Sequence, residues 1–148
     1  MSIWWSLHLR REAASVPLAR RLLLGTMETA GVDPDISYDL SVALTEACAN
    51  AVEHAAHGEY RVTARIEGDR CRIEVADSGP GFAPDLRRTH HSVRPLAKKD
   101  QHAEHGRGLF LIEALVDHVH FHNRPGHGAV VSFDKILKWR DDSLLKVS

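Results

Sequence analysis

Residues 44–54 read Leu44-Thr45-Glu46-Ala47-Cys48-Ala49-Asn50-Ala51-Val52-Glu53-His54, and their spacing decides the fold. With the residues around them, Ile36, Leu40, Ala43, Leu44, Ala47, Ala51 and Ala55 recur at steps of three and four, the buried stripe of a helix. Glu46, Asn50, Glu53 and His57 form a second stripe at the same steps, about a third of a turn further round. One face packs, and beside it a carboxylate and a carboxamide stand one turn apart. Alone, that second stripe reads equally well as a solvated polar face. Asp33-Pro34-Asp35, just upstream, is a turn and a cap for this helix.

On the C-terminal side, Tyr60, Val62, Ala64 and Ile66 alternate with polar residues. Gly68-Asp69 is a two-residue hairpin signal, and Cys71, Ile73 and Val75 alternate after it. Asp77 falls on the parity of those three apolar residues, so its carboxylate points toward the packed layer and needs hydrogen-bond partners there. Residues 82–105 show no periodicity and hold five Lys or Arg, three acids and four His, the composition of a functional lid or of a loop without fixed structure. Gly106-Arg107-Gly108 then precedes a helical pattern through Leu109, Ile112 and Val116. Two strands follow, one with Val119 and Phe121 and one over Val130–Ile136, joined by the turn Pro125-Gly126-His127-Gly128. On the N-terminal side, Trp5, Leu7 and Leu9 mark a first strand, and a helix opens at Val16-Pro17 and stops at Gly31. The order β-α-α-β-β-loop-α-β-β predicts an α+β fold, a two-layer sandwich with a mostly antiparallel sheet and helices on one face.

The 148 residues suit one domain over 1–148. Lys and Arg number 19 against 20 Asp and Glu, a net charge of −1, so the basic excess behind non-specific nucleic-acid binding is missing. No apolar run approaches the roughly 20 residues of a membrane span, and the start at Met1-Ser2-Ile3-Trp4-Trp5 lacks signal-peptide character. Cys48 and Cys71 are the only cysteines, which excludes a disulfide scaffold and fits a reducing cytoplasm.

Separately, the remaining motifs are ambiguous. Asp77-Ser78-Gly79-Pro80-Gly81 reads as a tight turn at a strand end, or as bare backbone brought close to a ligand whose exocyclic amine donates to Asp77. Gly106-x-Gly108 reads as an ordinary helix start, or as a backbone nest for phosphate. Together and in this order, Glu46-x-x-x-Asn50, Asp77-x-Gly79-x-Gly81 and Gly106-x-Gly108-Leu109 resemble the three boxes of the Bergerat ATP-binding fold of the GHKL superfamily, to which gyrase and histidine kinases belong. Residues 44–54 are similar to the corresponding helix of its small anti-sigma-factor serine/threonine-protein kinases, and the resemblance runs from about residue 8 to 137.

That resemblance implies a histidine-kinase-like ATPase fold that uses ATP and Mg²⁺. By it, Asn50 holds Mg²⁺, Asp77 binds the adenine amino group, and Gly79 and Gly81 let the base lie against the backbone. Residues 82–105 form the ATP lid, Gly106, Gly108 and Leu109 meet the phosphates, and Glu46 is the general base. The implied function is to bind a sigma factor and to phosphorylate a Ser or Thr of a STAS-type anti-anti-sigma protein, as a cytoplasmic homodimer, without direct contact to nucleic acid or membrane. Trp4, Trp5, Leu7 and Leu9 either contribute to that dimer or cover the domain's own core.

Two features depart from the family pattern. With Ala129 as the equivalent position, Gly126-His127-Gly128-Ala129 lacks the Thr hydroxyl that many members place near the adenine, which gives some weight to the alternative of a non-catalytic binding protein of the same fold. The lid is also unusually rich in histidine, at His90, His91, His102 and His105; separately, His118, His120 and His122 on one strand and the pair His102 and His105 have spacings that suit a metal or, more simply, an exposed strand face and a polar lid. A preceding dimerisation helix with a phospho-accepting His, and the transducer domains of larger ATPases, are not expected in this chain.

Overall fold

The computed structural model describes residues 2–54, 58–77, 103–124 and 128–141. Strand β1 (Ser2–Arg10) leads into helices α1 (Ser15–Ala30) and α2 (Pro34–His54), then into the hairpin of β2 (Glu59–Glu67) and β3 (Arg70–Asp77). Helix α3 (Ala103–Leu115) precedes β4 (His118–Arg124) and β5 (Gly128–Ile136). The sheet order is β1-β2-β3-β5-β4, and every described pairing is antiparallel.

Register sets which side chains share a face. Leu7, Val62, Val75, Val131 and Phe121 line up across all five strands, and so do Trp5, Ala64, Ile73, Phe133 and Val119. These rows join one core with Leu23 and Met27 of α1, Leu40 and Leu44 of α2, and Ile112 of α3. The helices therefore cover one face of the sheet, and burying these rows is the main source of stability. Trp5 anchors α1 further, its indole N–H donating to Thr26 Oγ1 at 3.0 Å.

The expected helix signals act as read. Gly31 takes φ 90°, a left-handed conformation that suits glycine, and its N–H reaches the carbonyls of Met27 and Glu28 to end α1. Asp33 Oδ1 accepts from the Asp35 N–H at 2.8 Å, capping α2 with Pro34 in the first turn. One expectation needs correction. Gly106 and Gly108 do not precede the last helix but lie inside it, because α3 begins at Ala103. Glycine tolerates helical geometry at about 1 kcal/mol relative to alanine, and the packing of Leu109 and Ile112 on the core holds the helix in place.

Neither α1 nor α3 has a basic residue in its last turn. Cations distant in sequence take that place. Arg140 Nη2 donates to the Glu28 carbonyl at 3.1 Å, and Lys135 Nζ to the Leu115 carbonyl at 2.7 Å. Near the end of α2, Arg11 Nε donates to the Ala51 carbonyl at 3.3 Å and Nη2 to that of Val52. Positive charge at a helix C-terminus offsets the partial negative charge of its carbonyls. Arg140 belongs to a strap, 137–140, that ties β5 back to the α1–α2 junction. Leu137 N donates to Asp69 O, Arg140 N to Gly31 O, and the Trp139 indole to Asp69 Oδ1.

Candidate nucleotide site

Helix α2 carries Glu46 and Asn50 on one edge, both half-buried, between the core-facing residues Ala47 and Ala51 and exposed Glu53. Four residues of helix separate them by one turn, about 6 Å along the axis. Leu40, Ala43, Leu44, Ala47 and Ala51 are buried as the periodicity requires, while Ala55 and His57 of the predicted stripes lie outside the described residues.

Asp77 ends β3 and is only 7% exposed, on the helix-facing side as its parity predicts. It lies in register with Tyr60 of β2, which in turn faces Leu9 of β1. The Tyr60 ring is fully buried, and its hydroxyl stands 2.6 Å from Ser15 Oγ, close to the buried Cys48 of α2. Cys48 sits between Glu46 and Asn50 in sequence, on the inner side of α2. The row from Asp77 through Tyr60 to Cys48 thus runs from the last residue of β3 to the stretch of α2 that bears the carboxylate and carboxamide.

A second tie comes from α1. Arg20 Nη1 donates to Thr45 Oγ1 at 3.1 Å, and that hydroxyl donates to the Ser41 carbonyl at 2.8 Å. Tyr60, Ser15, Arg11 and Arg20 were not picked out by sequence reading. Tyr60 had a signal, since it shares the parity of Asp77 across the hairpin; the others bond to groups 25 to 45 residues away and had none.

Leu109 is half-buried against the core on α3, in the helix that also contains Gly106 and Gly108. Gly79, Gly81 and residues 82–102 of the expected 82–105 lid, His102 among them, lie outside the described residues, whereas residues 103–105 belong to α3 instead of a loop. Ala129 is half-buried on β5, opposite Asn123. His118, His120 and His122 alternate on the exposed side of the edge strand β4, with His118 Nδ1 2.9 Å from Asp134 Oδ1. Arg70 holds the same carboxylate oxygen at 2.8 Å. Among the described residues, no three His, Cys, Asp or Glu side chains gather as a metal site. No helix among them is long and apolar enough to cross a membrane.

Burial pushes the Cys48 thiol up from its ordinary value of 9.0 to about 12, partly offset by the Tyr60 hydrogen bond and the Arg20 charge. Burial, with the Asp134 charge adding to it, also lifts Cys71 to about 12. Tyr60 rises from 10.0 to about 12, again chiefly by burial. All three hold their protons in the folded state at pH values where the unfolded chain releases them. Their contribution to stability is therefore complete below pH 9 and is lost as pH climbs toward 12. We expect a melting temperature that drops steadily over that window, with Cys71→Ala reducing the slope. Neither thiol should label with iodoacetamide at about pH 8 until the protein is unfolded.

A family model for the histidine kinase-like ATPase domain matches residues 9–135. The serine-protein kinase RsbW of Bacillus licheniformis is 36% identical over 82% of this chain and 78% of its own length. The chain belongs to the histidine kinase-like ATPase family, in its RsbW-type serine-protein kinase branch. RsbW of Bacillus subtilis is 35% identical, with 75% of this chain and 72% of that protein aligned. Among solved structures, the RsbU and RsbW domains of Rv1364c from Mycobacterium tuberculosis share the fold with a TM-score of 0.65 at 23% identity. That alignment covers 90% of this chain and 32% of the other.

Proposed function

We propose that this RsbW-type serine-protein kinase holds ATP between α2, the end of β3 and α3. There it transfers the γ-phosphoryl group to a Ser or Thr of a STAS-type anti-anti-sigma protein, and it binds a sigma factor when that antagonist is absent. The observation that carries this reading is the pair Glu46 and Asn50, one turn apart on the half-buried edge of α2, with Asp77 buried on the helix-facing side at the end of β3, in register with Tyr60.

Each residue has a defined task. Asp77 accepts a hydrogen bond from the exocyclic amine of adenine, a charge-assisted contact worth about 1.5–3 kcal/mol. Glu46 takes the proton from the attacking hydroxyl as the oxygen meets the γ-phosphorus. Asn50 offers its carboxamide oxygen to Mg²⁺, a hard cation that accepts few protein ligands and completes its shell with phosphates and water, so a single oxygen donor beside the carboxylate fits it. Bound there, Mg²⁺ neutralises phosphate charge. Gly79, Gly81, Gly106 and Gly108 leave room for base and phosphates to approach the backbone. Phosphoryl transfer depends mainly on position and charge, so this small set suffices.

The same proposal includes a homodimer acting in the cytoplasm. Trp5 and Leu7 pack against the core and Leu9 is buried, so they cover the protein's own interior. Trp4 is 59% exposed on the opposite face, which leaves it available to a second copy. Ala129, in place of a hydroxyl residue, supports the alternative of a binding protein with weak or no turnover. Turnover of the γ-phosphate with a candidate STAS protein separates the two, and titration with Mg-ATP tests the site itself. Asp77→Asn should weaken binding roughly 10- to 100-fold. An unchanged affinity removes Asp77 from the site, and no binding by the wild type at millimolar ATP leaves the non-catalytic reading.

A further inference from the structure

We infer that Arg11 is a positioning residue for the metal-nucleotide site, acting through the end of α2. The inference rests on the reading of Asn50 as the Mg²⁺ ligand and extends it to a residue with no box of its own. Arg11 follows β1 directly, and its guanidinium donates to the carbonyls of Ala51 and Val52, the two residues after Asn50. Its backbone N–H donates to the Gly58 carbonyl at 3.2 Å, where the chain leaves α2 for β2. One residue thereby grips both the last described turns of the helix and the chain that follows them.

Geometry makes this consequential for Asn50 in particular. Helices fray from their ends, where carbonyls lack intrahelical partners. Asn50 lies four residues from the last described residue of α2, whereas Glu46 lies a full turn deeper. Glu46 also has Thr45 beside it, pinned by Arg20 and by the Ser41 carbonyl. No comparable side-chain tie is described from Asn50 to His54 except those Arg11 makes to the neighbouring backbone. Loosening the end of α2 therefore displaces the carboxamide before it displaces the carboxylate, and an arginine fork satisfies two adjacent carbonyls where a lysine reaches only one at a time.

The test compares wild type, Arg11→Ala, Arg11→Lys and Asn50→Ala by titration with ATP, once with Mg²⁺ and once with EDTA. Hydrogen exchange over residues 46–54 is followed alongside. Arg11→Ala is expected to bind ATP in EDTA like the wild type but to lose about 10-fold of the affinity gained on adding Mg²⁺. Its kcat at saturating Mg²⁺ should change little, and Arg11→Lys should recover part of the loss. Exchange should quicken at 50–54 and stay slow at Glu46. Equal weakening with and without Mg²⁺, or unchanged exchange at 50–54, overturns the inference, because a merely structural arginine has no reason to distinguish the two nucleotide forms. If Asn50→Ala itself keeps the full Mg²⁺-dependent gain, the reading of Asn50 fails, and the role inferred for Arg11 fails with it.

Discussion

Glu46→Ala is expected to lower phosphoryl transfer to the protein substrate by ~10²–10⁴-fold while Mg-ATP affinity stays within about threefold of wild type. The split follows from position. Glu46 occupies the edge of α2 one turn before Asn50 and has no part in the row that links Asp77 to Tyr60 and Cys48. In the proposed site, removing its carboxylate takes away the acceptor of the hydroxyl proton but leaves Asp77 for the adenine and Asn50 for the metal. Single-turnover transfer of ³²P to a candidate STAS protein, alongside titration of the same variant, measures both quantities. A variant with wild-type transfer removes Glu46 as the base; one that loses transfer and binding together assigns it to nucleotide binding instead.

Phe133→Ala destabilises the domain by about 3–5 kcal/mol, which for a chain of this size lowers the melting temperature by roughly 10 °C or more. The ring is 1% exposed in the row of Trp5, Ala64, Ile73 and Val119, and the cavity left behind is walled by strands that cannot collapse into it without losing register. Ile136→Ala, on the same strand but 46% exposed, should change stability by no more than about 0.5 kcal/mol. Thermal or urea melts of both variants check the register of β5. A slip of one residue would turn Ser132 and Asp134 inward and make Phe133 the harmless position.

Much of this architecture is legible in single residues. Gly31 and Asp33 announce the end of α1 and the start of α2 because φ > 0 and an N-terminal cap are met by few residue types. Gly68-Asp69 announces the hairpin, and the alternation on either side of it fixes which face of β2 and β3 is buried. Asp77 stands out by parity alone and is buried, as expected. The start of α3 was less legible. Gly106 and Gly108 look like helix breakers, yet tertiary packing of Leu109 and Ile112 carries the helix back through them to Ala103.

Local periodicity, capping chemistry and the three boxes are properties of neighbours in the chain, so the element order, the buried faces, the family and the candidate residues Glu46, Asn50 and Asp77 are legible without coordinates. The cations that close the helices could not be read that way. Arg11 on α2, Lys135 on α3 and Arg140 on α1 each meet carbonyls 20 to 112 residues distant, and backbone carbonyls carry no mark in the sequence. The same holds for the Ser15–Tyr60–Cys48 contacts beneath the site. These contacts come from packing, because a hydrogen bond between remote groups depends on where two packed layers bring them.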